Sequence, residues 1–259
     1  GLQEGAAEHG CLVCVGTVPE ESSPALPCCN GSLQAAFVLD PSVASGRIAA
    51  LSAVPTIYLM APPMCNGSEC DVVGTDNAAI GRMAAEHLLA SGHKRLAVIN
   101  PFCCWDEAAW RVASFVAAGR RGGALVHVFD NTTHDAEWAD PAVHYLLRRP
   151  VACRALAQLY AQCNPRPTGI FVVGDLETAI VQRSLLAAGV SVGEDVQIVS
   201  CNNDQAALGG LDPKPLTFDL SAYEVGRQAV ELAVARCSGH LRFPAVQITV
   251  PPKAIPPQS

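Results

Sequence analysis

The sequence predicts an α/β fold built on parallel sheets with helices on both faces. Strand-like and helix-like patterns alternate almost throughout its 259 residues. Several strand candidates are continuous apolar runs, such as GIFVV at 169–173 and VQIVS at 196–200. Such runs suit strands covered on both faces. The helical stretches between them are bounded by capping residues and glycines.

Taken in order, GLQEGAAEHG reads as the last turns of a helix running straight into a strand at 11–16. The first strand of a doubly wound sheet usually lies centrally, so further residues are expected before Gly1. Other strands are predicted at 34–39, 55–60, 95–100, 124–129, 168–173, 196–201 and 246–250. Residues 77–91 place Ile80, Met83, Ala84 and Leu88 on one helical face, with Asp76 or Asn77 as cap and Gly92 as stop. Residues 175–188 start at Asp175, bury Ile180, Val181 and Leu185, and end at Gly189. Residues 222–237 repeat the scheme with Val225, Ala229 and Leu232 and end near Gly239. No repeat or low-complexity linker divides the chain.

Half of the residues are apolar and 16% are charged, which marks a globular chain. No apolar run approaches the ~20 residues of a membrane span, and residues 1–20 lack a signal-peptide pattern. The net charge is −7, and adjacent basic residues occur only as isolated pairs, among them Arg120-Arg121 and Arg148-Arg149. A surface that reads DNA by itself carries a basic patch, so any DNA contact is expected from a segment outside this sequence. The twelve cysteines are expected to be reduced, mostly buried thiols. Cys11 and Cys14 sit in the strand-like CLVCVGTV, where positions three apart face opposite ways and make a poor metal clip. No metal and no cofactor is expected. No G-x-S-x-G, H-E-x-x-H, P-loop or G-x-G-x-x-G occurs, which argues against an enzyme.

Three stretches resemble the effector domains of the lactose-repressor/galactose-repressor (LacI/GalR) family of bacterial regulators. They are VVGTDNAAIGRMAAEHLLASGHKRLAVI at 72–99, RPTGIFVVGDLETAIVQRSLLAAGVSVGEDVQIVSCNND at 166–204, and PLTFDLSAYEVGRQAVELAVARCSG at 215–239. All three stand in the family's order and spacing, and a looser match reaches both ends. The resemblance implies a periplasmic-binding-protein-like fold: two Rossmann-like lobes, three crossovers and a ligand cleft between the lobes. It assigns 1–100 plus 220–241 to the N-terminal lobe, and 101–219 plus 242–259 to the C-terminal lobe.

Ligands of open α/β sheets bind beyond the carboxyl ends of the strands. Three such ends carry polar residues: Asn100 after RLAVI, Asp175 after GIFVVG, and Asn202-Asn203 after QIVSC. Arg111, in R-x-x-S-F, matches a family position whose arginine fans its donors onto sugar hydroxyls or a carboxylate. Its alternative is a solvated helix arginine. As it is expected to be an exposed cleft arginine, its removal should weaken ligand binding while barely changing fold stability. Asn202 stands where the family usually has an aspartate, so the acidic anchor is replaced by an amide; its alternative is a turn cap. Asp175 is either a ligand contact or only its helix cap. Gly174 stands where the family often has asparagine. Trp138 resembles a loop tryptophan on which sugar faces stack, with Trp105 and Trp110 as rival platforms and simple packing as the alternative. Asp40 follows an early strand and could close the site. His87 and His93 are expected to pack and cap.

These features point to the effector-sensing domain of a cytoplasmic transcription repressor. It is expected to bind a sugar-like ligand in the cleft, to form a homodimer, and to contact operator DNA only through the missing segment. The alternative is a periplasmic sugar-binding protein of a transport system, against which the many thiols count.

Overall fold

The computed structural model describes residues 1–16, 33–39, 54–60, 64–65, 68–101, 106–130 and 141–257. In chain order its elements begin with α1 (Leu2–Glu8), β1 (Ala36–Val38), β2 (Thr56–Leu59), β3 (Met64–Cys65), β4 (Ser68–Glu69) and β5 (Asp71–Thr75). Next come α2 (Asn77–Ala90), β6 (Arg95–Asn100), α3 (Asp106–Arg121), β7 (Leu125–Asp130) and α4 (Pro141–Ala161). The rest are β8 (Gly169–Val172), α5 (Asp175–Ala187), β9 (Gln197–Val199), α6 (Gln205–Leu208), β10 (Thr217–Asp219), α7 (Ala222–Cys237), β11 (Gln247–Val250) and β12 (Lys253–Ile255). They form two compact units, Gly1–Thr75 with Ser221–Pro251, and Asp76–Leu220 with Pro252–Ser259.

The first unit carries a parallel sheet in the order β1-β2-β5-β11. Helix α7 presents Val225, Ala229, Leu232 and Ala233 at helical spacing, and these pack on Ile57, Leu59, Val73 and Val250 of the sheet. The side chain of Arg236, in the last turn of α7, holds both carboxylate oxygens of Asp71, at 2.7 and 2.6 Å. Asp71 also accepts from the Val246 amide at 2.9 Å, which fixes where β11 joins β5. Two parallel N–H···O bonds to one carboxylate give this link geometric specificity.

The second unit has a four-stranded parallel sheet, β7-β6-β8-β9, beside an antiparallel pair β10-β12. Side chains alternate with the two-residue period of a strand. Leu96, Val98, Phe171 and Val199 face Ile80, Ala84 and Leu88 of α2 and Phe115 of α3. Ala97, Ile99, Ile170, Val172 and Ile198 face Leu156 and Tyr160 of α4 and Val181 and Leu185 of α5. Phe115 stacks on Phe171 with centroids 5.4 Å apart, a contact of about 0.5–1.5 kcal/mol beyond the burial itself. The Asp76 carboxylate caps α2 by accepting from the Ala79 amide at 2.8 Å, and Gly92 ends it with φ +92°. Helices α2 and α3 approach so closely at Gly81 that a Cβ there would lie 2.0 Å from the Arg111 carbonyl oxygen. That contact sets the position of Arg111.

The division between units differs from the one expected at residue 100 and residue 242. Asp76–Asn100 belongs to the second unit, because α2 packs on α3 and β6 pairs with β7 and β8. Residues 242–251 belong to the first, because β11 pairs in parallel with β5. The strand expected at 11–16 is also absent: those residues pair with no described strand, and Leu12 and Val15 are 95% and 88% exposed. Of the seven free cysteines among the described residues, only Cys153 and Cys201 are buried, so the thiols are less enclosed than expected. Burial pushes both of those thiols up to about 12, which makes them inert.

His87 and His93 do more than pack. His93 bridges the Thr168 hydroxyl at 2.9 Å and Gln197 Oε1 at 2.8 Å, and Gln197 Nε2 reaches His87 Nε2 at 3.1 Å. Burial first, and His93 second, hold His87 below the ordinary imidazole value. The unfolded chain therefore takes up this proton first as pH falls, and stability declines below about 6.5. Thermal melts between about pH 5 and 8 should show less acid-side loss in His87→Gln than in the parent chain. Equal pH slopes would remove His87 from the balance.

Candidate functional site

Polar residues gather at the carboxyl edge of the second unit's sheet. Asn100 ends β6, in register with Asp130 at the end of β7. Val173 and Gly174 follow β8, and Asn202 and Asn203 follow β9. Asn100 is buried and Asp130 half-buried.

Arg111, in α3, is the centre of this edge. Its Nε donates to Asn77 Oδ1 at 2.8 Å, and its Nη1 donates to the Val173 carbonyl at 2.7 Å and to Asn202 Oδ1 at 3.3 Å. The residue is 8% exposed. It is therefore neither a solvated arginine nor one whose loss leaves stability unchanged. It joins the start of α2 to the ends of β8 and β9, and its Nη2 is outside these bonds.

Asn202 and Asn203 take φ of 110° and 57°, a backbone region that asparagine tolerates better than most residues. The turn is held from several sides. The Asn202 amide donates to the Phe218 carbonyl at 2.9 Å. Asn203 Nδ2 donates to Asp219 at 2.8 Å, and Asp204 caps α6. This arrangement leaves the Asn202 side chain exposed, with Oδ1 on Arg111.

Asp175 is not the cap of α5: Gly174 is the N-cap and Asp175 the first helical residue. Its carboxylate turns inward and is fully buried. It accepts from the Ser200 hydroxyl, from Thr217 Oγ1 at 3.0 and 3.3 Å, and from the Asp204 amide at 2.7 Å. Burial raises its pKa, against the pull of these three donors. Asp175 thus clamps β9, β10 and the Asn202–Asp204 turn together.

Two charged residues that the sequence reading passed over lie beside this cluster. Glu177, in the first turn of α5, is 3% exposed and faces Arg149 of α4 with 3.2 Å between Oε1 and Nε. Burial raises its pKa, opposed by its own backbone amide and by Arg149. Neither residue matched a family frame, and a Glu in a helix's first turn ordinarily reads as a helix-dipole partner. Trp110 is 54% exposed beside Arg111. Asp40, Trp105 and Trp138 lie outside the described residues. Among the described residues no group of His, Cys, Asp and Glu could hold a metal ion. A surface depression of about 230 Å³ lies on the α2–α3 face, lined by Asp76, Arg82, Ser114 and Arg121. It contains none of the expected site residues.

Comparison with known proteins gives this geometry a context. The periplasmic binding protein-like domain family matches residues 85–259. The chain is 28% identical over 202 residues to the HTH-type transcriptional regulator GntR of Pseudomonas aeruginosa, covering 74% of this chain and 52% of that protein. It is 23% identical over 185 residues to the ribose operon repressor of Escherichia coli K12, covering 71% and 51%. The chain spans about half the length of the curated relatives it matches, which are transcription regulators rather than enzymes. Among solved structures, a LacI transcriptional regulator from a Rhodococcus species aligns with TM-score 0.74 at 21% identity, over 99% of this chain and 90% of that one. A LacI family regulator from Enterococcus faecium with bound ribose aligns with TM-score 0.71 at 18% identity, over 100% and 92%. The match over residues 85–259 places this chain in the periplasmic binding protein-like domain family.

Proposed function

We propose that the chain is the effector-sensing domain of a bacterial transcription repressor and that it binds a sugar or sugar derivative at the carboxyl edge of the second unit's sheet. The observation that carries this is the convergence of Arg111, Asn77 and Asn202 on the ends of β8 and β9. The exposed Asn202 amide group and Arg111 Nη2 present donors in a fixed frame, as recognition of closely spaced hydroxyls requires. Asp175 acts behind them, by holding the turn that carries Asn202. Trp110 offers an apolar ring for a sugar face. Relatives named for ribose and solved structures with ribose or cellobiose support this ligand class.

In this proposal the protein works in the cytoplasm as a homodimer, and operator DNA is read by a part of the protein other than this chain. The net charge of −7 fits that division. Ligand shifts the balance between DNA-competent and DNA-incompetent states in proportion to its differential affinity for them. The test is titration calorimetry and thermal shift of this chain with D-ribose, D-gluconate and D-glucosamine, which sample neutral, acidic and basic sugars. At least one should raise the Tm with saturable heat of binding. No binding by any of the three overturns the proposal.

A further inference from the structure

Glu177 is an uncommon residue for its place. It is a carboxylate, 3% exposed, and its Oε1 makes no hydrogen bond. The 3.2 Å approach of Arg149 Nε supplies charge but not that bond. A carboxylate buried with an unfilled acceptor site is costly unless something completes it. Asp175, two residues earlier, has its own donors from Ser200, Thr217 and Asp204, so the two acids of this helix turn are not equivalent.

The direction in which Glu177 points is fixed by Gly174. A Cβ built on Gly174 would lie 2.1 Å from Glu177 Oε2 and 3.4 Å from Asn202 Nδ2. The carboxylate therefore occupies the space that a side chain at 174 would fill, and it borders the exposed amide of Asn202. Gly174 itself is extended, with φ −162°, so its backbone does not require glycine. Space for the carboxylate is what the absence of a side chain provides. Asn202 Oδ1 is turned to Arg111, and the oxygen that reaches this point of the edge is Glu177 Oε2, the one not facing Arg149.

We propose that Glu177 is the specificity-determining acceptor of the ligand site, admitted by Gly174, and that it selects a sugar carrying a hydroxyl or ammonium donor over one carrying a carboxylate. This rests on the sugar-binding function proposed above. The wild-type chain, Glu177→Gln and Asn202→Ala are to be titrated calorimetrically with D-ribose, D-gluconate and D-glucosamine. The Glu177→Gln amide is isosteric but lacks the charge. It should lower the affinity for D-glucosamine relative to D-gluconate by about tenfold or more. A purely structural role would weaken all three sugars alike and leave that ratio unchanged, which overturns the inference. If Asn202→Ala abolishes binding while Glu177→Gln keeps the wild-type ratio, the site stands and only the assignment of Glu177 falls. If none of the three sugars binds the wild type, the sugar-binding function falls and takes this inference with it. Should Glu177→Gln fail to fold, the Arg149→Met/Glu177→Met double variant removes both buried charges. Its D-glucosamine to D-gluconate ratio is then read against the same criterion.

Discussion

Arg111→Ala is expected to weaken effector binding tenfold to a hundredfold, about 1.5–3 kcal/mol, as loss of a charge-assisted hydrogen bond in a confined site does. The substitution also acts on the apo protein. It removes the donors to Asn77 Oδ1, to the Val173 carbonyl and to Asn202 Oδ1. The Val173 carbonyl lies on a buried residue, so its lost partner is not simply replaced by water. A stability loss of about 2–3 kcal/mol is expected, measured as a lower midpoint in urea at unchanged slope. The two effects separate through Asn77→Ala. That variant deletes one acceptor of Arg111 Nε and shares part of the stability loss, but leaves Nη2 in place and should retain most of the affinity. Wild-type affinity in Arg111→Ala would show that Arg111 only braces the sheet edge. Arg111→Lys should behave nearer to alanine than to arginine, since an ammonium cannot reproduce three bonds from one planar fork.

The fold was legible wherever local pattern and burial agree. The continuous apolar runs at 169–173 and 196–200 became β8 and β9, covered on both faces, because a strand between two helical layers needs apolar residues at every position. Helices α2, α5 and α7 were legible from their glycine stops, which adopt positive φ at Gly92, Gly189 and Gly239. The failures share a cause. CLVCVGTV has strand composition, yet a strand also needs a partner, and pairing is not local information. The assignment of β11 failed for the same reason: it depends on pairing with β5 and on Asp71, far away in sequence. Helix α4 was missed because Pro150 lies within it, and proline inside a helix reads as a break. At the site, Arg111 and Asn202 were singled out through their frames, and the structure joins them by a direct hydrogen bond. The inward turn of Asp175 was not legible, since its partners Ser200, Asp204 and Thr217 come from three later segments. Glu177 was missed because its importance depends on an absence, the missing side chain at Gly174.

Asp175→Ala should be the most damaging single change at this edge. The carboxylate accepts from two hydroxyls and one backbone amide, and the Ser200 and Thr217 side chains are themselves buried. Truncation leaves three donors without their acceptor in a space too enclosed for bulk water to enter freely. Each unsatisfied buried donor costs about 1–3 kcal/mol, with partial relief where the structure relaxes, so a net loss of about 3–5 kcal/mol is expected. Asp175→Asn should cost less, about 1–2 kcal/mol, because the amide oxygen still accepts while its NH2 faces at least one of the former donors. The order alanine below asparagine below wild type in denaturant midpoint is the measurement. The same clamp holds the Asn202–Asp204 turn through the Asp204 amide, so the milder Asp175→Asn variant should bind effector more weakly while remaining folded. If Asp175→Asn loses affinity with an unchanged midpoint, the carboxylate touches ligand directly in the bound state. If Asp175→Ala keeps the wild-type midpoint, the three bonds contribute nothing net and Asp175 is no clamp.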